Sequence, residues 1–145
     1  DASACVTVEF RDGLHRILEV AVQRAEYPTL KRAIVAQAER FAPHAILIED
    51  KASGQSLLQD LRRETALPLI AILPKGDKVT RVVQVTGILE SKRVALPKVA
   101  PWLAAFETEL MEFPNGAHDD QVDALAQYLN WVRDKQFFVP AIRSL

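Results

Sequence analysis

Two short, unbroken apolar runs constrain the fold most: Ala45-Ile46-Leu47-Ile48, and Leu67 to Leu73 (LPLIAIL). A run of this length without polar alternation reads as a strand covered on both faces. Helical patterns surround both runs. Leu30, Ile34, Ala38 and Phe41 recur at three- and four-residue spacing before Pro43, with Thr29 placed to cap that helix. Ser53-Gly54 opens a second helix, with Leu57, Leu58 and Leu61 inward. Val79, Val82, Val83, Thr86 and Leu89 mark a third helical face, and Arg93 to Leu96 a short strand. Trp102, Leu103, Phe106, Leu110 and Phe113 form a further stripe, broken at Pro114-Asn115-Gly116. The last helix is expected from Asp119 to Val132, with Val122, Leu125, Ala126, Leu129 and Val132 inward. At the front, residues 4–10 (ACVTVEF) and 15–22 (HRILEVAV) are extended segments joined by the turn dipeptide Asp12-Gly13. Two paired strands followed by alternating helix and strand predict an α/β chain with a mixed sheet flanked by helices.

Composition narrows the function. The 145 residues are 49% apolar and 26% charged, enough for one domain with a real core. A net charge of -1 excludes a histone-like basic coat, so nucleic-acid binding would need a local basic surface. With one cysteine, Cys5, no disulfide can form within the chain; in its apolar setting Cys5 reads as a buried thiol of a reducing compartment. No apolar stretch approaches the ~20 residues that span a bilayer. The opening DASACVTVEF has no basic region before an apolar one, and so does not read as a signal peptide. It reads instead as the start of a piece of a longer protein, with a domain over residues 1–133 and a tail over 134–145.

Acids collect at two places. Glu49-Asp50 end the first apolar run, at the edge where ligands gather in open α/β sheets. Their side chains alternate, so one of them can enter a cleft; the plainer reading is two solvated residues closing a strand. The other place is His118-Asp119-Asp120-Gln121-Val122-Asp123. The helix dipole favours one or two acids at a helix start, and accounts less well for three. Asp119 and Asp123 share a face, and their repulsion is relieved by a cation between them. Joined by an acid from a strand end, these are hard oxygen ligands for Mg²⁺ or Mn²⁺, suited to two-metal phosphodiester hydrolysis.

Positive charge concentrates between residues 75 and 98. Lys75, Lys78, Arg81, Lys92, Arg93 and Lys98 stand there against only Asp77 and Glu90. Such a patch would grip phosphates without reading bases; an ordinary solvated face explains the charge as well. His118 reads as a loop residue with a local hydrogen bond rather than as a ligand. Trp102 and Trp131 read as core rather than stacking platforms. Ser53-Gly54-Gln55 could cradle a phosphate at a helix start, although a plain cap needs no ligand.

On the stretches EYPTLKRAIVAQAERF, AILIEDKASGQSLLQDLRRE, KGDKVTRV, RVALPKVAPWL and ELMEFPNGAHDDQVDALAQ, the chain resembles the C-terminal nuclease domain of the large terminase subunit of tailed bacteriophages. The stretches run in the family's order, and IEDKASG and FPNGAHDDQVDA are the most specific. The resemblance implies an RNase H-like fold and a Mg²⁺- or Mn²⁺-dependent endonuclease that cuts concatemeric double-stranded viral DNA during packaging. Glu49 matches the family's second catalytic acid. Asp119 and Asp120 match the region of its last, with Asp123 as an extra ligand. Lys75, Lys78 and Arg81 would hold phosphates. The implied partners are the portal protein and the small terminase subunit, in the host bacterial cytoplasm and without a membrane.

Two departures stand out. The family's first strand, with its first catalytic Asp, precedes the segment at which this chain begins, so one metal ligand is missing from the sequence as given. Glu90-Ser91-Lys92 also replaces a glycine-rich turn. No GxxxxGK[ST] loop occurs, so the packaging ATPase is not in these residues. The alternative reading is a non-catalytic prophage remnant, or a module that docks DNA or the portal without cutting. A third is another RNase H-like nuclease, such as a junction resolvase.

Overall fold

The computed structural model describes residues 2–136. Its elements are β1 (Ser3–Arg11), β2 (Leu14–Gln23), α1 (Tyr27–Phe41), β3 (Ile46–Glu49), α2 (Ser53–Glu64), β4 (Leu69–Ile72), α3 (Lys78–Val83), α4 (Thr86–Glu90), β5 (Val94–Ala95), α5 (Leu103–Glu112) and α6 (Asp120–Gln136). The chain divides into two compact units. Among the described residues, one comprises 2–22 and 76–136, the other 23–75.

The first unit holds a mixed three-stranded sheet in the order β1-β2-β5. β1 and β2 form a hairpin through Asp12 (φ 54°) and Gly13 (φ 77°). Two successive left-handed residues match the right-handed twist of the strands, which is why Asp-Gly serves here. β2 and β5 run parallel, with His15 opposite Val94 and Arg16 opposite Ala95. Ile17 and Val20 of β2 pack with Val82, Val85, Phe106 and the α6 stripe Val122, Leu125, Ala126 and Leu129. Phe106 and Leu129 are fully enclosed. Trp102 packs on this core, edge-on to Phe106.

Three expectations need correction in this unit. The helical face expected from Val79 to Leu89 is two short helices, interrupted at Gln84 and Val85. The break turns Val85 inward beside Val82, and leaves Val79 and Val83 exposed. Cys5 is exposed rather than buried; β1 alternates, and it is the adjacent Val6 that packs on the core. The last helix continues past Val132 to Gln136, into the expected tail. Residues 137–145 of that tail lie outside the described residues.

His15 is a buried polar group in the same core. Its ring stacks on Phe10 at 4.5 Å and meets the edge of Tyr128 at 5.4 Å. Nδ1 lies 2.8 Å from the Tyr128 hydroxyl. Burial pushes the Tyr128 phenol up to about 12, so the hydroxyl stays protonated and is a neutral hydrogen-bond partner for Nδ1. Burial, and then the Arg93 charge, push the imidazole below its ordinary range. The unfolded chain therefore binds a proton at His15 more readily than the folded one. Stability contributed by the neutral ring is complete above the unfolded value of about 6.5 and declines as pH falls below it. Urea midpoints should fall between pH 7 and pH 5, and His15→Gln should flatten that part of the profile.

In the second unit, β3 and β4 form a parallel ladder from Ile46 opposite Leu69 to Glu49 opposite Ile72. Both strands are half-buried rather than fully covered. α2 packs on both strands and on α1, and it buries Leu57, Leu58 and Leu61 as expected. α1 begins at Tyr27 with Pro28 in its first turn, so Thr29 lies inside the helix and does not cap it. The Thr29 hydroxyl instead accepts from Arg32 at 3.2 Å. α1 and α2 are tied by Tyr27, whose hydroxyl donates to the Asp60 carboxylate and the Ser56 carbonyl, and by Lys31–Glu64 at 2.9 Å.

Candidate functional site

The aspartate cluster sits where α6 begins, and a residue from another helix shapes it. Asp119 occupies the N-cap position, its carbonyl accepting from the Asp123 N–H at 2.9 Å. An N-cap aspartate ordinarily turns its side chain back onto the N–H two or three residues on. Here Glu109 of α5 takes that role. Its Oε2 accepts from the Val122 N–H at 2.7 Å and its Oε1 from Gln121 Nε2 at 3.0 Å. Both Glu109 and Gln121 are buried. The carboxylate of Asp119 is thereby released to face α3.

α3 presents cations at matching spacing. Lys78 Nζ lies 2.7 Å from Asp119 Oδ1 and 3.7 Å from Asp120 Oδ1. One turn on, Arg81 pairs with Asp123 at 3.0 Å. Arg81 also donates to the Gly76 carbonyl at 2.7 Å, and its own carbonyl accepts from Asn130 Nδ2 at 3.0 Å. Asp77 caps α3, accepting from the Thr80 N–H at 2.8 Å; that hydrogen bond holds its carboxyl below the ordinary range. Burial works against the charge on Lys78. The hydrogen bond to Asp119, and the fields of Asp119, Asp123 and Asp120, outweigh it and hold the ammonium above its ordinary value.

Of the residues expected to act on metal or phosphate, five, Lys78, Arg81, Asp119, Asp120 and Asp123, are thus engaged with one another. Asp119 and Asp120 converge on one ammonium. Asp123 and Arg81 form a separate, enclosed pair. Two of the six cations between residues 75 and 98 face acids, and Lys75 is exposed. His118 is exposed. Among the described residues, no three His, Cys, Asp or Glu side chains gather as a metal-sized group.

Glu49 belongs to the second unit, at the carboxyl end of β3. The turn after it is tightly built. The Asp50 N–H bonds to the Ile72 carbonyl at 2.8 Å, carrying the ladder one residue past Glu49. Ala52 sits at φ 52°, ψ −127°, a conformation that favours glycine. Gly54 then passes so close that a Cβ there would lie 2.0 Å from the Glu49 carbonyl oxygen. Ser53 is the first residue of α2, and no side chain caps that helix. The strained turn and the close glycine together fix the strand end that carries Glu49.

Sequence reasoning missed Glu109. Its signal was an acid three residues beyond Phe106 within an apolar stripe, where a charged side chain needs a partner. Glu109→Ala leaves two buried donors without acceptors, and is expected to cost about 2–3 kcal/mol in urea unfolding. Glu109→Gln keeps one acceptor and should cost less.

Comparison with known proteins agrees with this architecture. Residues 1–131 match the family described as the terminase RNaseH-like domain. No curated protein sequence matches the chain. Among solved structures, the large terminase nuclease from thermophilic phage G20c, crystallised with bound zinc, is similar at a TM-score of 0.63 and 18% identity, over 88% of this chain and 80% of that one. The fold is RNase H-like, and the chain belongs to the terminase RNaseH-like domain family.

Proposed function

We propose that this domain is a Mg²⁺- or Mn²⁺-dependent endonuclease that cuts concatemeric double-stranded viral DNA during genome packaging. The observation that carries the reading is the convergence of Asp119 and Asp120 on a single cationic point, the Lys78 ammonium. Two hard carboxylate oxygens aimed at one positive charge suit a divalent cation, and the ammonium is its stand-in. Asp119 and Asp120 would hold the metal, and the resemblance makes Glu49, at the end of β3, the further catalytic acid. When bound, Mg²⁺ or Mn²⁺ supplies Lewis acidity at the phosphate and an acidified water. The chain's own groups position that chemistry. Glu109 keeps Asp119 off its own helix, Arg81 anchors Asp123, and the turn through Gly54 holds Glu49. Lys75 and Lys78 would neutralise phosphate charge.

Family membership supports the packaging context. The portal protein, the small terminase subunit and the host cytoplasm belong to this proposal. No helix of the described residues is long and apolar enough to cross a membrane. The test is nicking of supercoiled plasmid by the full-length natural polypeptide with Mg²⁺ or Mn²⁺. Cleavage is expected, and Glu49→Ala should abolish it. Unchanged cutting by that variant would remove Glu49 from the site. DNA binding without cutting under either metal would favour the docking-module reading.

A further inference from the structure

We propose that Lys78 is an exchangeable internal counter-ion, which neutralises the Asp119–Asp120 pair until a divalent cation displaces it. This rests on the reading of those aspartates as metal ligands. The two cations of α3 are held in contrasting ways. Arg81 and Asp123 are enclosed, their side chains 14% and 16% exposed, and the guanidinium has a second partner in the Gly76 carbonyl. Lys78, Asp119 and Asp120 are 39%, 41% and 37% exposed, so water and ions reach all three.

The chemistry separates them further. Arg81 is a planar fork with several directed bonds, whereas Lys78 is a hydrated point charge on a flexible four-carbon stem. Arg81 locks α3 to α6, and Lys78, three residues earlier, can swing away without disturbing that lock. An ammonium 2.7 Å from Asp119 Oδ1 occupies the space of an ion that binds oxygen at about 2.0–2.1 Å. Two cations cannot share that oxygen at such distances without strong repulsion. Metal in therefore means ammonium out, and the displaced charge stays within a side chain's length, free to meet phosphate. Lys78 is a positioning residue in this scheme: it keeps two adjacent carboxylates ordered before the metal arrives.

The experiment is direct titration of the full-length natural polypeptide with Mn²⁺ alone, without DNA, followed by electron paramagnetic resonance. Lys78→Gln should bind Mn²⁺ about tenfold more tightly than the wild type, equivalent to about 1.4 kcal/mol. Equal or weaker binding by Lys78→Gln would overturn the proposal. A second readout needs no variant: Mg²⁺ should shift the Lys78 side-chain ammonium resonance in the wild type and leave that of Lys92 in place. An unmoved Lys78 signal at saturating Mg²⁺ would also overturn it. Asp120→Asn separates the two readings. If it leaves Mn²⁺ affinity unchanged, the assignment of the aspartates has failed, and this inference with it. If it weakens binding while Lys78→Gln changes nothing, only the counter-ion role has failed.

Discussion

Asp120→Ala is expected to lower metal-dependent DNA cleavage about a thousandfold, equivalent to about 4 kcal/mol of transition-state stabilisation. The fold should survive, because Asp120 makes only the longer, 3.7 Å contact to Lys78 at a half-exposed helix start. Asp123 gives the contrast that makes this informative. It lies on the same face one turn on, yet its carboxylate is taken by Arg81. Asp123→Ala leaves a guanidinium enclosed without its acid, and is expected to cost about 2–3 kcal/mol of stability. Cleavage by the folded protein should fall far less than with Asp120→Ala. Plasmid nicking measured beside urea unfolding separates the two. A larger activity loss for Asp123→Ala at unchanged stability would move the metal toward Asp123.

Gly54→Ala is expected to be the most disruptive alanine substitution among the five glycines. The added carbon would lie 2.0 Å from the Glu49 carbonyl oxygen and 3.7 Å from Ile48 Cγ2. The oxygen has little room to yield, since Glu49 is held in the ladder opposite Ile72 and the next residue bonds to Ile72 as well. Either α2 lifts from β3 or the strand end shifts. The cost should be about 3 kcal/mol, at the top of the range for overpacking, and cleavage should fall with it because Glu49 moves. Gly87→Ala is the control. It lies in α4 with nothing within 4 Å of the new carbon, and helix propensity alone predicts a gain of up to about 1 kcal/mol. Urea denaturation of the two variants distinguishes a steric requirement at Gly54 from a general sensitivity to losing glycine.

Much of the fold was legible because it is written in local pattern. The α6 stripe of Val122, Leu125, Ala126 and Leu129 repeats at helical spacing, and all four side chains are buried. The two apolar runs are strands, and Asp12-Gly13 is a hairpin turn. Errors arose where tertiary contacts override local preference. Val79 to Leu89 carries enough apolar residues for one helix, but burial of Val85 breaks it in two. Thr29 has capping chemistry, yet Pro28 starts α1 earlier and puts Thr29 inside. Cys5 sits in an apolar run, but strand alternation turns it outward. For the site, the sequence showed which acids cluster and which cations lie nearby. It did not show that they are partnered, because Lys78–Asp119 and Arg81–Asp123 join residues about forty positions apart. Nor did it show that a buried glutamate from α5 takes over the capping of α6.

The unequal enclosure of the two ion pairs gives the domain a graded response to added electrolyte. At 1 M monovalent salt the Debye length falls to about 3 Å, and solvent-facing charge pairs lose most of their attraction. The Lys78 contact should loosen first, while Arg81 stays clamped between Asp123 and the Gly76 carbonyl. Concentrated KCl would then detach the lysine from its acids while α3 stays fastened to α6.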